Sequence, residues 1–343
     1  MDMKSDSLKK NIVILSLSML VFMNIAGCGA SDSNIQAEEK TISSLEQLSD
    51  DVFLLDVYTD YHVDDYLNAD IKDVEQFDRW MTDTLTHGVP TGDIPDIGCS
   101  SFVVKGTNQN HLFGRNYDSS RRGESLIVRT MPKDGYASIG IVDLSSVNLG
   151  ACGEYDIFDE AAGPLLFATP WCICDGINEK GLGVSLLELS NKHVVEDTDK
   201  GDLLIYASLR VLLDKCATID EAVELLNSYD IYSPRPNTYH LFITDISGRS
   251  VVVEWENNQT FVVENSVVTN VRLNTEKVFD LRYSTIHKAI DEVNSMTAEE
   301  AMGVLDEVAQ STRWSAVYYL ENFRVDICFN EDYSNVFSCD GQK

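Results

Sequence analysis

The stretch from Cys99 to Asp118 constrains this 343-residue chain more than any other. Cys99 follows Gly98 directly and opens an alternating run to Val104. Lys105–Asn110 has turn composition, and Leu112–Tyr117 returns. A hairpin of this kind brings Arg115 and Asp118 back beside the cysteine. A thiol has a pKa near 8.5 and needs activation, yet no histidine lies close to Cys99 in sequence; His111, His193, His240 and His287 are elsewhere. If the Gly98–Cys99 bond is cut, the α-amine of Cys99, with a pKa near 8, sits beside its own sulfur and can take the thiol proton. Arg115 would favour the thiolate and Asp118 would hold the new ammonium. This layout implies amide cleavage through a thioester.

The N-terminal residues read as targeting information. Lys4, Lys9 and Lys10 precede an apolar run from Ile12 to Ile25, too short to span a bilayer comfortably. Ile25-Ala26-Gly27-Cys28 then resembles a lipobox. The expectation is an exported protein, lipid-anchored to a bacterial cell membrane through Cys28, with residues 1–28 as signal peptide and lipobox cysteine. Residues 29–98 carry 17 acidic and 3 basic residues. They are expected to form a tether around Ser31–Asn34 and an acidic propiece ending in an exposed linker. Within it, Val74–Leu85 is an amphipathic helix presenting Phe77, Trp80, Met81 and Leu85, with Gly88 as its stop. Residues 99–343 form the catalytic domain.

Beyond the first hairpin, Ser125–Thr130 and Ala137–Leu144 pair, as do Cys172–Cys174 and Leu182–Leu189. Asp202–Lys215 and Ile219–Tyr229 are helices, the second opened by Thr218 and Glu221. Strands return at Tyr239–Asp245, Ser250–Trp255 and Thr260–Glu264. Helices follow at Tyr283–Asn294 and, from the capping box Thr297–Glu300, to Ala309. Ser315–Leu320 and Phe323–Phe329 are closing strands. Clustered strands alternating with clustered helices define an α+β chain, an αββα sandwich of two antiparallel sheets flanked by helix pairs.

A net charge of −30 excludes a nucleic-acid binder, which needs a basic face. Setting Cys28 and Cys99 aside leaves six cysteines. Cys172 and Cys174 are too close for an easy bridge and no metal-type CxxC pair exists; with apolar neighbours around them, most of the six are expected to be free buried thiols.

Cys99, Gly114-Arg115-Asn116-Tyr117-Asp118 and Asn178-Glu179-Lys180-Gly181-Leu182 resemble the choloylglycine hydrolase family of N-terminal-nucleophile (Ntn) hydrolases. This family includes conjugated bile salt hydrolases and penicillin V acylases, with an acid ceramidase-like branch related to it. The resemblance implies Cys99 as nucleophile, flanked by Arg115 and Asp118. It implies that the backbone N–H of Asn178 and the side-chain amide of Asn270 bind the oxyanion, and that an arginine completes the set. Arg282 and Arg313 both fit that last role, Arg282 the better by its spacing from Asn270. The resemblance further implies autoproteolysis at Gly98–Cys99, no cofactor or metal, a small N-acyl amide as substrate, and a homo-oligomer. The segment Ser146–Pro170, with Leu149, Ile157, Phe158, Leu165, Leu166 and Phe167, is expected to shape an apolar acyl pocket. Alternatives are an acyltransferase or lactonase on the same scaffold, or a non-enzymatic surface lipoprotein that binds solutes.

Overall fold

A computed structural model describes residues 32–92, 98–119, 123–189, 194, 196–233, 238–274 and 277–342. The expected signal peptide and Cys28 lie outside the described residues. So does most of the linker before Gly98.

Helix α1 (Asp32–Ser43) leads to strands β1 (Glu46–Ser49) and β2 (Val52–Val57), then helices α2 (Val63–Asn68) and α3 (Val74–Thr84). The hairpin is β3 (Gly98–Lys105) and β4 (His111–Asp118). β5 (Ser125–Thr130), β6 (Ser138–Asp143), β7 (Ile173–Asn178), β8 (Gly183–Leu189) and β9 (Gly201–Leu204) follow. Next come α4 (Ile205–Lys215), α5 (Ile219–Asn227), β10 (Tyr229–Tyr232), β11 (Thr238–Thr244), β12 (Ser250–Glu256), β13 (Gln259–Glu264) and β14 (Val267–Thr269). The chain closes with α6 (Leu281–Asp291), α7 (Ala298–Glu307), β15 (Thr312–Tyr319), β16 (Arg324–Phe329) and β17 (Val336–Asp340).

Among the described residues, one large sheet runs β1-β2-β5-β6-β7-β8-β11-β12-β13, a second runs β14-β3-β4-β15-β16-β17, and β9 and β10 form a parallel pair of their own. The first two stack face to face: Ser101 Oγ lies 2.9 Å from Ser185 Oγ, and the rings of Phe113 and Phe242 are 5.7 Å apart. Helices α4 and α5 cover the outer face of the large sheet; α6 and α7 cover that of the small one. This is the expected αββα sandwich. The helix caps are those the sequence indicated. Thr297 and Glu300 exchange both capping-box bonds. Thr218 accepts from Glu221 N, while Glu221 Oε2 reaches Ala217 N (2.6 Å) instead of the cap residue.

The largest departure is upstream of Cys99. Asp32, Ser33 and Asn34, expected in a tether, are helical in α1. β2 joins the large sheet parallel to β5, in register from Val52↔Ser125 to Val57↔Thr130. The segment is therefore part of the same core. Helix α3, capped by Asp73 and stopped near Gly88 at φ +88°, presents Phe77 and Met81 inward as expected. Phe77, Trp80 and Tyr66 form an aromatic cluster on Trp171, at 5.9, 5.3 and 4.8 Å. Trp171 Nε1 also donates to the carbonyl of Tyr61 (2.8 Å).

The expected acyl pocket in Ser146–Pro170 is corrected on the same ground. Leu149, Ile157, Leu165, Leu166 and Phe167 are buried in the main core. Phe158 packs on Phe53 at 5.8 Å and Phe167 against His87 at 6.0 Å, so residues of the upstream segment cover this surface. Cys99, Cys172, Cys174, Cys216, Cys328 and Cys339 are buried free thiols, as expected, whereas Cys152 is exposed.

Candidate active site

The β3–β4 ladder pairs Gly98 with Asp118, Cys99 with Tyr117 and Ser101 with Arg115. Side chains alternate across a strand. Cys99, Ser101, Arg115 and Tyr117 therefore face the large sheet, whereas Asp118 faces the helical layer. Gly114 has a packing reason to be glycine: a Cβ there would meet the Phe102 ring at 2.5 Å.

Two polar groups enclose Cys99, one on each side. On the thiol side, Sγ lies 3.7 Å from the carbonyl of Leu186. Arg115 Nη2 donates to that same oxygen (2.8 Å) and Nε to Asp175 Oδ2 (3.3 Å). Asp175 also accepts from Trp314 Nε1 (3.0 Å) and from the Tyr318 hydroxyl. On the backbone side, the N–H of Cys99 donates to Asn270 Oδ1 (2.7 Å). Arg282 Nη2 donates to that oxygen as well (2.9 Å), and its Nη1 to Asp118 Oδ2 (2.9 Å). Thr312 Oγ1 holds the other Asp118 oxygen at 2.5 Å. Asn270 Nδ2 spends one hydrogen on the carbonyl of Glu188 (2.7 Å).

Cys99 has no exposed surface. Burial pushes its thiol up to about 12, against the opposing pull of Arg115. The Cys99 thiol is thus sealed from solvent, and burial favours its protonated form. Burial also raises Asp118, with Thr312 and Arg282 countering it, and raises Asp175 against Arg115.

Of the expected set, Cys99, Arg115, Asp118, Asn270 and Arg282 meet here. Arg313 does not; it bonds Asp143 Oδ2 (2.5 Å) and the Glu124 carbonyl (2.7 Å). Asn178 is a correction. Its N–H donates to the Leu182 carbonyl (3.0 Å). Its Oδ1 accepts from Lys180 N (3.1 Å) and Leu182 N (3.0 Å), and its Nδ2 donates to the carbonyls of Leu213 (2.9 Å) and Cys216 (2.7 Å). It closes the β7–β8 turn and anchors the end of α4. Asp175, three residues earlier, is the part of β7 that reaches Arg115, and three residues of strand span about 10 Å. The main chain beside Cys99 and Asn270 is instead Leu186–Glu188 of β8. Sequence reasoning missed Asp175, although a lone carboxylate in the apolar strand Cys172-Ile-Cys-Asp175 was a usable signal. It also missed Thr312, Trp314 and Tyr318, which no local pattern marks.

The sequence matches the choloylglycine hydrolase family of linear amide C–N hydrolases over residues 99–300, more than half the chain, and the protein belongs to that family. The bile salt hydrolase/transferase of Clostridium perfringens (strain 13 / Type A) is 26% identical over 178 residues, which are 49% of this chain and 51% of that protein. The chain therefore aligns with about half the length of this relative. In fold, it is similar to a mutant conjugated bile acid hydrolase from Clostridium perfringens (TM-score 0.54, 20% identity, 71% of this chain and 92% of that one). It is also similar to the penicillin V acylase of Agrobacterium tumefaciens (TM-score 0.51, 20% identity, 71% and 86%).

Proposed function

We propose that this protein is an exported cysteine amidohydrolase that cleaves linear N-acyl amides after cutting itself at Gly98–Cys99. The observation that carries the reading is the network built around the backbone nitrogen of Cys99, running through Asn270 and Arg282 to Asp118. A cysteine enzyme using histidine as base has no need of it, and among the described residues no histidine hydrogen-bonds Cys99.

In the first reaction Cys99 Sγ attacks the Gly98 carbonyl. The acyl group moves from nitrogen to sulfur, and water hydrolyses the thioester, leaving a Gly98 carboxylate and a free Cys99 amine. In each later turnover that amine takes the thiol proton and the thiolate attacks the substrate carbonyl. The second hydrogen of Asn270 Nδ2 steadies the oxyanion. The Cys99 ammonium protonates the departing amine, and water releases the acid from the thioester. Conjugated bile salts, penicillin V-like amides and fatty N-acyl amides are the substrate classes to test. The hydrolase/transferase name of the bacterial relative favours one second reading, capture of the thioester by an amine in place of water.

We also place the protein at a cell membrane, anchored through Cys28. The β2–β5 pairing and the Trp171 cluster support retention of the upstream piece after cutting, giving a tethered two-chain enzyme. Recovery of the whole catalytic chain in a salt wash of membranes would exclude that arrangement. The primary test is intact mass spectrometry of protein lacking residues 1–28, beside Cys99→Ala. The expected wild type yields a fragment beginning at Cys99 that hydrolyses a member of the amide panel, and the variant stays whole. A cut wild type inert on the entire panel refutes the hydrolase assignment.

A further inference from the structure

Behind the site lies a buried acid–imidazole pair that no step above uses. His240 on β11 and Glu254 on the adjacent β12 have no exposed surface, and His240 Nδ1 is 3.0 Å from Glu254 Oε1. The carboxylate also accepts two backbone N–H groups, from Leu273 to Oε1 (2.9 Å) and from Asn274 to Oε2 (3.1 Å). Both donors belong to the chain that leaves Asn270. β14 ends its ladder at Thr269↔Ser100, one residue before Asn270. From there to α6 at Leu281 the described residues form no regular element. Glu254 thus grips this irregular stretch three and four residues beyond Asn270. The pair also borders the site from below: His240 is registered against Leu187, between the Leu186 and Glu188 carbonyls that receive Arg115 and Asn270.

An ionised carboxylate fully out of water is costly unless hydrogen bonds and charge satisfy it. Burial would raise Glu254, but His240 and the two backbone N–H groups outweigh it and hold the acid below the usual glutamate range. Arg272 Nη1 approaches at 4.0 Å. A group kept charged inside the core, with its oxygens turned on one loop, is built to fix that loop.

We infer that Glu254, oriented by His240, is a positioning residue for the reaction. It clamps the Leu273–Asn274 backbone so that Asn270 Oδ1 meets the Cys99 nitrogen and Nδ2 meets the acyl oxygen. The inference rests on the reaction proposed above, and its test separates the two.

The test compares Glu254→Gln, His240→Leu and His240→Asn in the full chain. Three quantities are measured: the rate of Gly98–Cys99 scission, kcat and KM on the amide that is turned over, and backbone amide hydrogen exchange across 267–274. Gln offers one acceptor oxygen where two N–H groups need one each. Misplacing a reacting group by about 1 Å costs up to about 100-fold. Glu254→Gln and His240→Leu should therefore lose about 10- to 100-fold in kcat and scission rate, with KM within about twofold and faster exchange at Leu273 and Asn274. His240→Asn still carries an N–H donor for Glu254 and should recover most of the loss. A role in stability alone would lower the unfolding temperatures, leave kcat per folded molecule unchanged, and give no rescue by Asn. That pattern, or a Glu254→Gln enzyme with wild-type kcat, overturns the inference. If the variants do not fold, the wild type decides. Protection of Leu273 and Asn274 comparable to that of β14 supports the clamp, and exchange at free-loop rates refutes it. A wild type that turns over no amide defeats the reaction reading, and the exchange measurement still decides the clamp.

Discussion

Replacing Arg282 and Arg313, one at a time, by Met separates two arginines that sequence alone left in competition. Arg282 is mostly buried and makes two charge-assisted bonds of 2.9 Å, to Asp118 and to Asn270. Bonds to charged groups contribute roughly 1.5–3 kcal/mol each. The two share partners, so their loss is not additive. About 3–4 kcal/mol of lost organisation corresponds to roughly 10²–10³-fold in rate. Met fills a similar volume but leaves Asp118 with Thr312 as its main hydrogen-bond partner in a buried position, so the carboxyl rises further and is more readily protonated. Arg313→Met removes the buried bond to Asp143 and should cost about 3–5 kcal/mol of stability, with little effect on rate per folded molecule. The assay follows precursor scission by mass and initial amide turnover at 20 °C, normalised to the folded fraction from circular dichroism. Two results would refute the assignment of Arg282 to the site. One is an Arg282→Met chain that cuts itself within threefold of wild type; the other is an Arg313→Met chain that loses as much per folded molecule.

Phe77→Ala should lower stability by about 3–5 kcal/mol, read in denaturant unfolding. In the cut enzyme it should also release the upstream piece on gel filtration, where wild type co-elutes. Iodoacetamide at pH 8 should label Cys152, the exposed thiol, and leave Cys99 unmodified while the chain is whole; peptide mapping that finds Cys99 alkylated in uncut protein contradicts a sealed, protonated nucleophile. Glu254 is lowered in the fold, so its stabilising contribution is complete above the ordinary glutamate value of about 4.3 and is lost as pH falls through the lower folded value. The unfolding midpoint of wild type should accordingly drop more steeply than that of Glu254→Gln in that acid range, and parallel curves would count against it.

The parts of this structure that were legible in the sequence are those fixed over short distances. The Cys99–Asp118 hairpin follows from alternation around one turn, so Arg115 and Asp118 could be placed from the strand register. The Thr297 and Thr218 caps follow from residues three apart. Asn178 was misplaced because the Asn178–Leu182 turn that marks the family motif is a fold element, while the strand it launches supplies the site. β1 and β2 were missed because β2 pairs in parallel with a strand some 70 residues away, and nothing local announces such a partner. The same applies to Asp175, whose role appears only when the two sheets stack; His240 and Glu254 are neighbours within one sheet, but their grip on Leu273 and Asn274 depends on where the chain beyond β14 runs. Between Arg282 and Arg313, spacing could rank but not decide; the fold puts one on the helical layer beside Asp118 and the other on Asp143.

The β2–β5 joint has a consequence for how the molecule can be made. β5 is buried nearly throughout, and without β2 it becomes the naked edge of a large sheet, with the unpaired backbone groups that recruit strands from other chains. A gene begun at Cys99 would give Cys99 a free amine without the proposed cut, yet would expose that edge and the apolar face of Trp171. Such a shortened protein is expected to aggregate, and soluble material should return when residues 32–98 are co-expressed as a separate chain. The upstream piece would then serve as an assembly template: synthesis in one chain keeps the sheet capped from the moment it forms, and the proposed cut would come only afterwards.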